Sequence, residues 1–349
     1  MTARNLGMAI AALLLAASTA HAELSGGKVK ITVLTDFHSD LSHAAGQGSV
    51  IAAQMALDDA DGIAHRRVRI DSADDTRSAR GAAALAHRYV AAGTDLFVGL
   101  AGDAPAEAVQ RVAGNGRAVV MTVGATSLSL TGAYCGRTGF HWSPNLAVLM
   151  HLTDPDKRRQ RRRGTVFVYG GGRRETLRNS YEVGDRNWGR NIAGQVFVSD
   201  LRQLGLYATK GMSIITPFYW NADDASRAFA ARFRRQYGAP PTYIQAGVYS
   251  AVLNYLSAVS QSRSDDPATV SKALRNSTPD DVYARHARIR ADGQLLQDVY
   301  LMRVKGPAEA AGVWDYLKLV EKLPARSVYT DSSKGICPYA AQDPTTGGA

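Results

Sequence analysis

The sequence predicts an α/β protein built on doubly wound parallel sheet. Two observations carry that expectation. Short apolar runs alternate with helix-length segments through the first half of the chain, the order that winds a right-handed parallel sheet. One such run, residues 118–121, turns through Gly124 into Ala125, Thr126 and Ser127. A glycine at a strand end lets the backbone turn sharply and lets a ligand approach closely. The hydroxyls and backbone N–H groups that follow make a small anion cradle at the carboxyl end of a strand, where parallel sheets hold their ligands. An ordinary strand-to-loop turn capped by Thr126 or Ser127 accounts for the same residues.

In chain order, residues 29–34 (VKITVL) read as the first strand and residues 36–46 as a polar loop. A helix over 48–59 follows, with Val50, Ile51, Met55 and Leu57 as its apolar positions. Residues 67–71 make the second strand, and an Ala-rich helix over 77–92 ends at Gly93. Residues 95–100 make the third strand, a helix starts near Pro105, and the cradle strand is the fourth. Residues 140–142 form a short aromatic extended piece, and 145–152 suit a helix. Strand candidates then fall at 165–169, ending in Gly170, Gly171 and Gly172, at 191–198 and at 211–219. Residues 223–237 form an amphipathic helix with Phe229 and Phe233 on one face, broken by Pro240 and Pro241. A long apolar helix spans 245–259 and a short one 267–276. Residues 283–304 alternate around Ala291-Asp292-Gly293, a hairpin signal, and the tail after Pro324 is irregular.

The chain has 349 residues, enough for two domains. It opens with Arg4, a short apolar core and an Ala20-His21-Ala22 site, which reads as a secretory signal peptide over residues 1–22. The mature chain then starts at Glu23, outside the cytoplasm, with no cysteine there to carry a lipid. Two cysteines, Cys135 and Cys337, are present. An oxidising compartment favours a disulfide between them, with two separate buried thiols as the alternative.

The net charge is +10, and six positive charges lie in one run from Lys157 to Arg163. The basicity is therefore mostly one local patch and does not argue for nucleic-acid binding. The run lacks the interleaved aromatics of a single-strand binder and reads as a solvated loop rather than a polyanion site. The eight histidines are scattered, with no metal-ligand spacing, and no dinucleotide fingerprint, P-loop or nucleophile elbow occurs. No metal, no cofactor, no catalytic residue and no enzyme activity are expected.

Several stretches in order resemble one family. They are Lys28 to Asp36 (KVKITVLTD) with Gly46 to Ala56 (GQGSVIAAQMA), Gly124 to Ser127 with Leu130 and Thr131, and His141-Trp142. Further along are Phe218-Tyr219-Trp220, Arg227-Ala228-Phe229, Gln245 to Ser250 (QAGVYS), Arg288 to Gly293 (RIRADG) and Trp314-Asp315-Tyr316. Together they resemble the branched-chain amino acid (leucine/isoleucine/valine-binding) family of periplasmic solute-binding proteins of ABC transporters. The resemblance implies a type I periplasmic-binding-protein fold: two α/β lobes, three crossings between them, and hinged closure on a small ligand without chemistry. It implies delivery of an amino-acid-like or carboxylate ligand to a membrane permease. The candidate ligand-binding residues are Gly102, Asp103, Gly124, Ala125, Thr126 and Ser127 from the first lobe, Asp200 from the second, and Tyr249. The loop 36–40 is expected to line the same cleft. Family members usually carry hydroxyls where this chain has Ala101-Gly102-Asp103.

The resemblance divides the mature chain into a discontinuous N-terminal lobe (23–140 and about 245–280), a second lobe over 141–244 and a C-terminal hairpin and tail over 281–349. The second lobe is expected to be incomplete. Two βα units that the family places before the 165–169 strand are missing, and the basic linker 154–164 stands in their place. The family's second-lobe acidic position falls on Tyr207, with Asp200 the nearest substitute. A sensor or adaptor of the same fold with lost ligand binding is the alternative function.

Overall fold

The structure is a computed structural model, and it describes residues 24–63, 65–153, 165–168, 191–194, 196–329 and 337–340. The signal segment 1–22, the Lys157–Arg163 run with its linker, and Gly170 to Gly172 lie outside the described residues.

The first sheet has the order β2-β1-β3-β4-β5 and is parallel throughout. Its strands are β1 (Val29–Thr35), β2 (Val68–Asp74), β3 (Leu96–Gly99), β4 (Val119–Thr122) and β5 (Gly139–His141). Every residue of β3, β4 and β5 is buried. That is why the central strands read as unbroken apolar runs rather than as alternation. The crossover helices are α1 (Gly46–Asp59), α2 (Ala79–Ala91) and α3 (Asp103–Ala113). Ser78 caps α2 by accepting from the Gly81 N–H at 3.0 Å.

The second sheet has the order β12-β11-β8-β7-β6. Helix α4 (Leu146–Thr153) leads to β6 (Thr165–Val168) and β7 (Asn191–Gly194), followed by helices α5 (Val198–Leu204) and α6 (Leu206–Thr209) and by β8 (Ser213–Thr216). These three strands are parallel. Helices α7 (Asp224–Tyr237), α8 (Tyr243–Ser262) and α9 (Pro267–Arg275) come next. A small antiparallel hairpin pairs β9 (Arg288–Ile289) with β10 (Leu295–Leu296) around Gly293, as the Ala291-Asp292-Gly293 signal predicts. Then β11 (Val299–Val304) and β12 (Leu317–Leu323) run antiparallel on the far side of β8. The second sheet is therefore mixed, not parallel. The C-terminal segment supplies two of its strands instead of standing apart. Among the described residues β6 pairs on one side only.

Two further expectations are revised. The 191–198 strand stops at Gly194, and α5 starts at Val198, because the Asp200 carboxylate accepts the Phe197 N–H at 2.9 Å and caps the helix. Helix α7, placed by the sequence in the second lobe, packs on the first. Its Arg232 grips Asp59 of α1 through two hydrogen bonds of 2.8 and 2.7 Å, and Phe229 and Phe233 join the core of α1 and α8.

Helix α8 lies along α1, and the two approach closely. A Cβ at Gly48 would stand 2.7 Å from the Gln245 side-chain carbonyl carbon, so any larger residue there must displace the Gln245 side chain. Gln245 closes a capping box with Thr242, accepting its N–H at 2.9 Å, while the Thr242 hydroxyl donates to the Ala44 carbonyl at 2.6 Å.

Among the described residues the chain passes between the sheets three times: after β5, between β8 and α7, and between β10 and β11. The first and third passages are tied by Gln294. Its amide donates to the carbonyls of His141 (3.1 Å) and Ser143 (2.9 Å), and its carbonyl accepts from Asn145 (3.0 Å). Gln294 is fully buried. Cys135 and Cys337 form a disulfide that fastens residues 337–340 to the loop after β4.

Candidate functional site

The site stands at the carboxyl end of the first sheet, where β3 leads into α3 and β4 leads into the cradle. Gly124 has φ of +100°, and a Cβ there would lie 2.9 Å from Ile244 of α8 and 3.3 Å from the Ala101 backbone. The turn is therefore written for glycine, as the sequence implies. The Gly124 N–H donates to the Ser143 hydroxyl at 2.9 Å.

Asp103 is the first residue of α3, with Gly102 as its N-cap. Its carboxylate accepts the N–H groups of Thr126 (2.6 Å) and Ser127 (3.0 Å), and the Thr126 hydroxyl points at it from 3.4 Å. One turn later Glu107 accepts the Ser127 hydroxyl at 2.5 Å. The donors predicted for a ligand anion are thus engaged by the chain's own carboxylates. Ala125 is buried and offers its carbonyl, which His141 Nε2 reaches at 2.7 Å. Burial pulls the His141 pKa below its ordinary value, so the ring is a neutral donor here.

The second lobe meets this end through Asp200. It is 1% exposed, and besides capping α5 it pairs with His43 Nε2 of the loop before α1 at 3.1 Å. Beside it the Phe197 ring stacks on Tyr243 of α8, with centroids 5.2 Å apart. Asp200 therefore lies at the junction of the lobes as a sealed group. Tyr207, which the resemblance places at the family's acidic position, is 80% exposed on α6.

The loop 36–40 holds itself. Asp36 accepts the N–H groups of His38 (3.0 Å) and Ser39 (2.8 Å) and the Ser39 hydroxyl, and Arg77 donates to that hydroxyl at 2.8 Å. Burial pushes the Asp36 carboxyl up, but these bonds and the Arg77 charge outweigh it and hold the pKa below its usual value.

Tyr249 does not join the cradle. Its hydroxyl donates to Asp59 at 2.8 Å and its ring packs on Phe229, 4.7 Å between centroids, inside the α1–α7–α8 contact. Asp103, Gly124, Ala125, Thr126 and Ser127 do come together, with Gly102 alongside. Sequence reasoning missed Ser143, His43 and Gln294. The polar residues next to the His141-Trp142 crossover and the glutamine after the Asp292-Gly293 turn were the available signals. Among the described residues no group of three or more His, Cys, Asp or Glu could hold a metal ion, and no helix is long and apolar enough to cross a membrane.

Comparison with known proteins fits this architecture. A branched-chain amino acid ABC transporter periplasmic ligand-binding protein from Burkholderia xenovorans superposes with a TM-score of 0.81 at 24% identity, over 90% of this chain and 100% of its own. A periplasmic binding protein from Burkholderia mallei gives 0.78 at 26%, over 90% and 99%. A solute-binding protein of an ABC transporter from R. palustris, solved in complex with benzoate, gives 0.69 at 13%, over 88% and 99%. No curated protein sequence matches the chain. The periplasmic binding protein family itself matches over residues 28–168 and 184–311, so the chain belongs to the periplasmic binding protein family.

Proposed function

We propose that this chain is an extracytoplasmic receptor that takes up a small organic solute between its lobes and presents the closed form to the permease of an ABC importer. It is exported by the signal segment, with cleavage after Ala22, and works in the periplasm. It performs no chemistry; ligand binding shifts an open–closed equilibrium by its differential affinity for the two states.

The observation that carries this is the hinge. Three passages link two sheets, and Gln294 clasps the first and third at one point. Ligand groups are then held from Gly102, Asp103 and Gly124–Ser127 below, with Asp200 fixing the wall above. The ABC-transporter proteins from B. xenovorans and R. palustris, the second with benzoate, support an amino-acid or small organic-acid-sized ligand. The test is a thermal-shift screen of the chain from Glu23 against amino acids, aromatic acids, short dicarboxylates, amines and amides. One ligand class raising the midpoint supports the receptor. A cooperative melt with no responder favours a sensor or adaptor of the same fold, a reading motivated by the second lobe that the family resemblance implies is shortened.

A further inference from the structure

The cradle is already holding a carboxylate. Asp103 lies exposed at the mouth of the first lobe, yet its oxygens sit on the N–H groups of Thr126 and Ser127 at 2.6 and 3.0 Å. Those are the donors that a ligand anion at the end of a parallel strand would use. Two further donors of the cradle are engaged as well. The Gly124 N–H goes to Ser143, and the Ser127 hydroxyl goes to Glu107. Neither Asp103 nor Glu107 is in an ion pair among the described residues. The nearby histidine, His141, is buried and donates to the Ala125 carbonyl. The mouth of the cradle therefore presents negative charge and acceptor oxygens, and a second carboxylate brought there meets like charge where the Thr126 and Ser127 N–H groups and the Ser127 hydroxyl are already taken.

We propose that Asp103 sets the ligand class, standing in the anion position itself so that the first lobe receives a hydrogen-bond donor, an amine or amide group, in place of a carboxylate. This rests on the receptor function proposed above and names what that receptor selects. Selectivity comes from a built-in repulsive element as much as from an attractive one.

The test separates the two claims. First, acetate is titrated into the isotope-labelled chain from Glu23, and the Thr126 and Ser127 amide signals are followed by NMR, in the natural protein and in Asp103→Ser. The expected result is no acetate response in the natural protein and a saturable shift confined to the cradle in Asp103→Ser. Second, both proteins are titrated with matched pairs, leucine against leucinamide and benzoate against benzamide. The natural protein is expected to prefer the amide member and the variant to prefer the carboxylate member, with carboxylate affinity rising roughly 10- to 100-fold on substitution. Acetate shifts in the natural protein equal to those of the variant, or none in a folded variant, overturn the proposal. So does tight leucine or benzoate binding by the natural protein that Asp103→Ser leaves unchanged, and that result keeps the receptor reading. The acetate result as expected with no matched pair binding either protein supports the role of Asp103 and counts against the receptor.

Discussion

Two carboxylates stand where the lobes meet, and they are held in opposite ways. Asp200 of the second lobe is buried, with one oxygen on the Phe197 N–H and the other on His43. Asp103 of the first lobe is exposed and rests on the Thr126 and Ser127 N–H groups. Both satisfy backbone donors at a helix start or strand end. Their surroundings make one a fixture of the fold and the other a determinant of what may approach. Burial decides the difference: a sealed carboxylate stripped of its partners carries a desolvation penalty, whereas an open one exchanges protein donors for water.

The contrast predicts a ranking of stability effects. Asp200→Ala leaves the Phe197 N–H and His43 without that carboxylate and is expected to cost about 3 kcal/mol, read as a lower denaturant midpoint. Gly124→Ala forces a side chain into a +100° φ and against Ile244 and is expected to cost about 2–3 kcal/mol in the same measurement. Asp103→Ala is expected to cost under about 1 kcal/mol, because water reaches the freed donors. An Asp103→Ala cost equal to that of Asp200→Ala would break the comparison.

A third carboxylate sharpens it. Asp75 follows β2 and is 1% exposed; one of its oxygens accepts the Arg77 N–H at 2.9 Å and the other has no hydrogen-bond partner among the described residues. Burial, opposed only partly by that bond, pushes its pKa from 3.8 up to about 6. The folded state thus holds the proton more tightly than the unfolded chain. The contribution of Asp75 to stability is fullest below about pH 4, falls between about pH 4 and 6 and is lost above. Asp75→Asn is expected to stabilise the protein by about 1–2 kcal/mol at pH 7 and to lose that advantage at pH 4, a sign opposite to Asp200→Ala. Chemical denaturation at the two pH values checks it.

The first sheet was legible because β3 and β4 are buried on every residue, and continuous apolar runs between helices admit few other arrangements. The glycine turn at 124 was legible for the same local reason. The pairing of Asp103 with Thr126 and Ser127 was not, since it joins α3 to a loop 23 residues away and depends on how two crossover units sit side by side. Tyr249 was misplaced because α8 is buried nearly all round, so its sequence does not say which face meets the cleft. Residues 281–349 were read as a C-terminal hairpin and tail of their own, with no strand at 317–323, because sheet membership is a long-range choice. Only the register of Tyr300 on Thr216 and its neighbours fixes it.

The central claim is a hinged receptor, and the distance between its lobes tests it most directly. Fluorophores placed on α2 of the first lobe and on β12 of the second report that distance in the chain from Glu23. Addition of the ligand class that raises the melting midpoint is expected to shorten it, by shifting molecules from an open to a closed population. A bound ligand that leaves the distribution unchanged, in a protein whose melt it stabilises, would contradict closure about the Gln294 clasp.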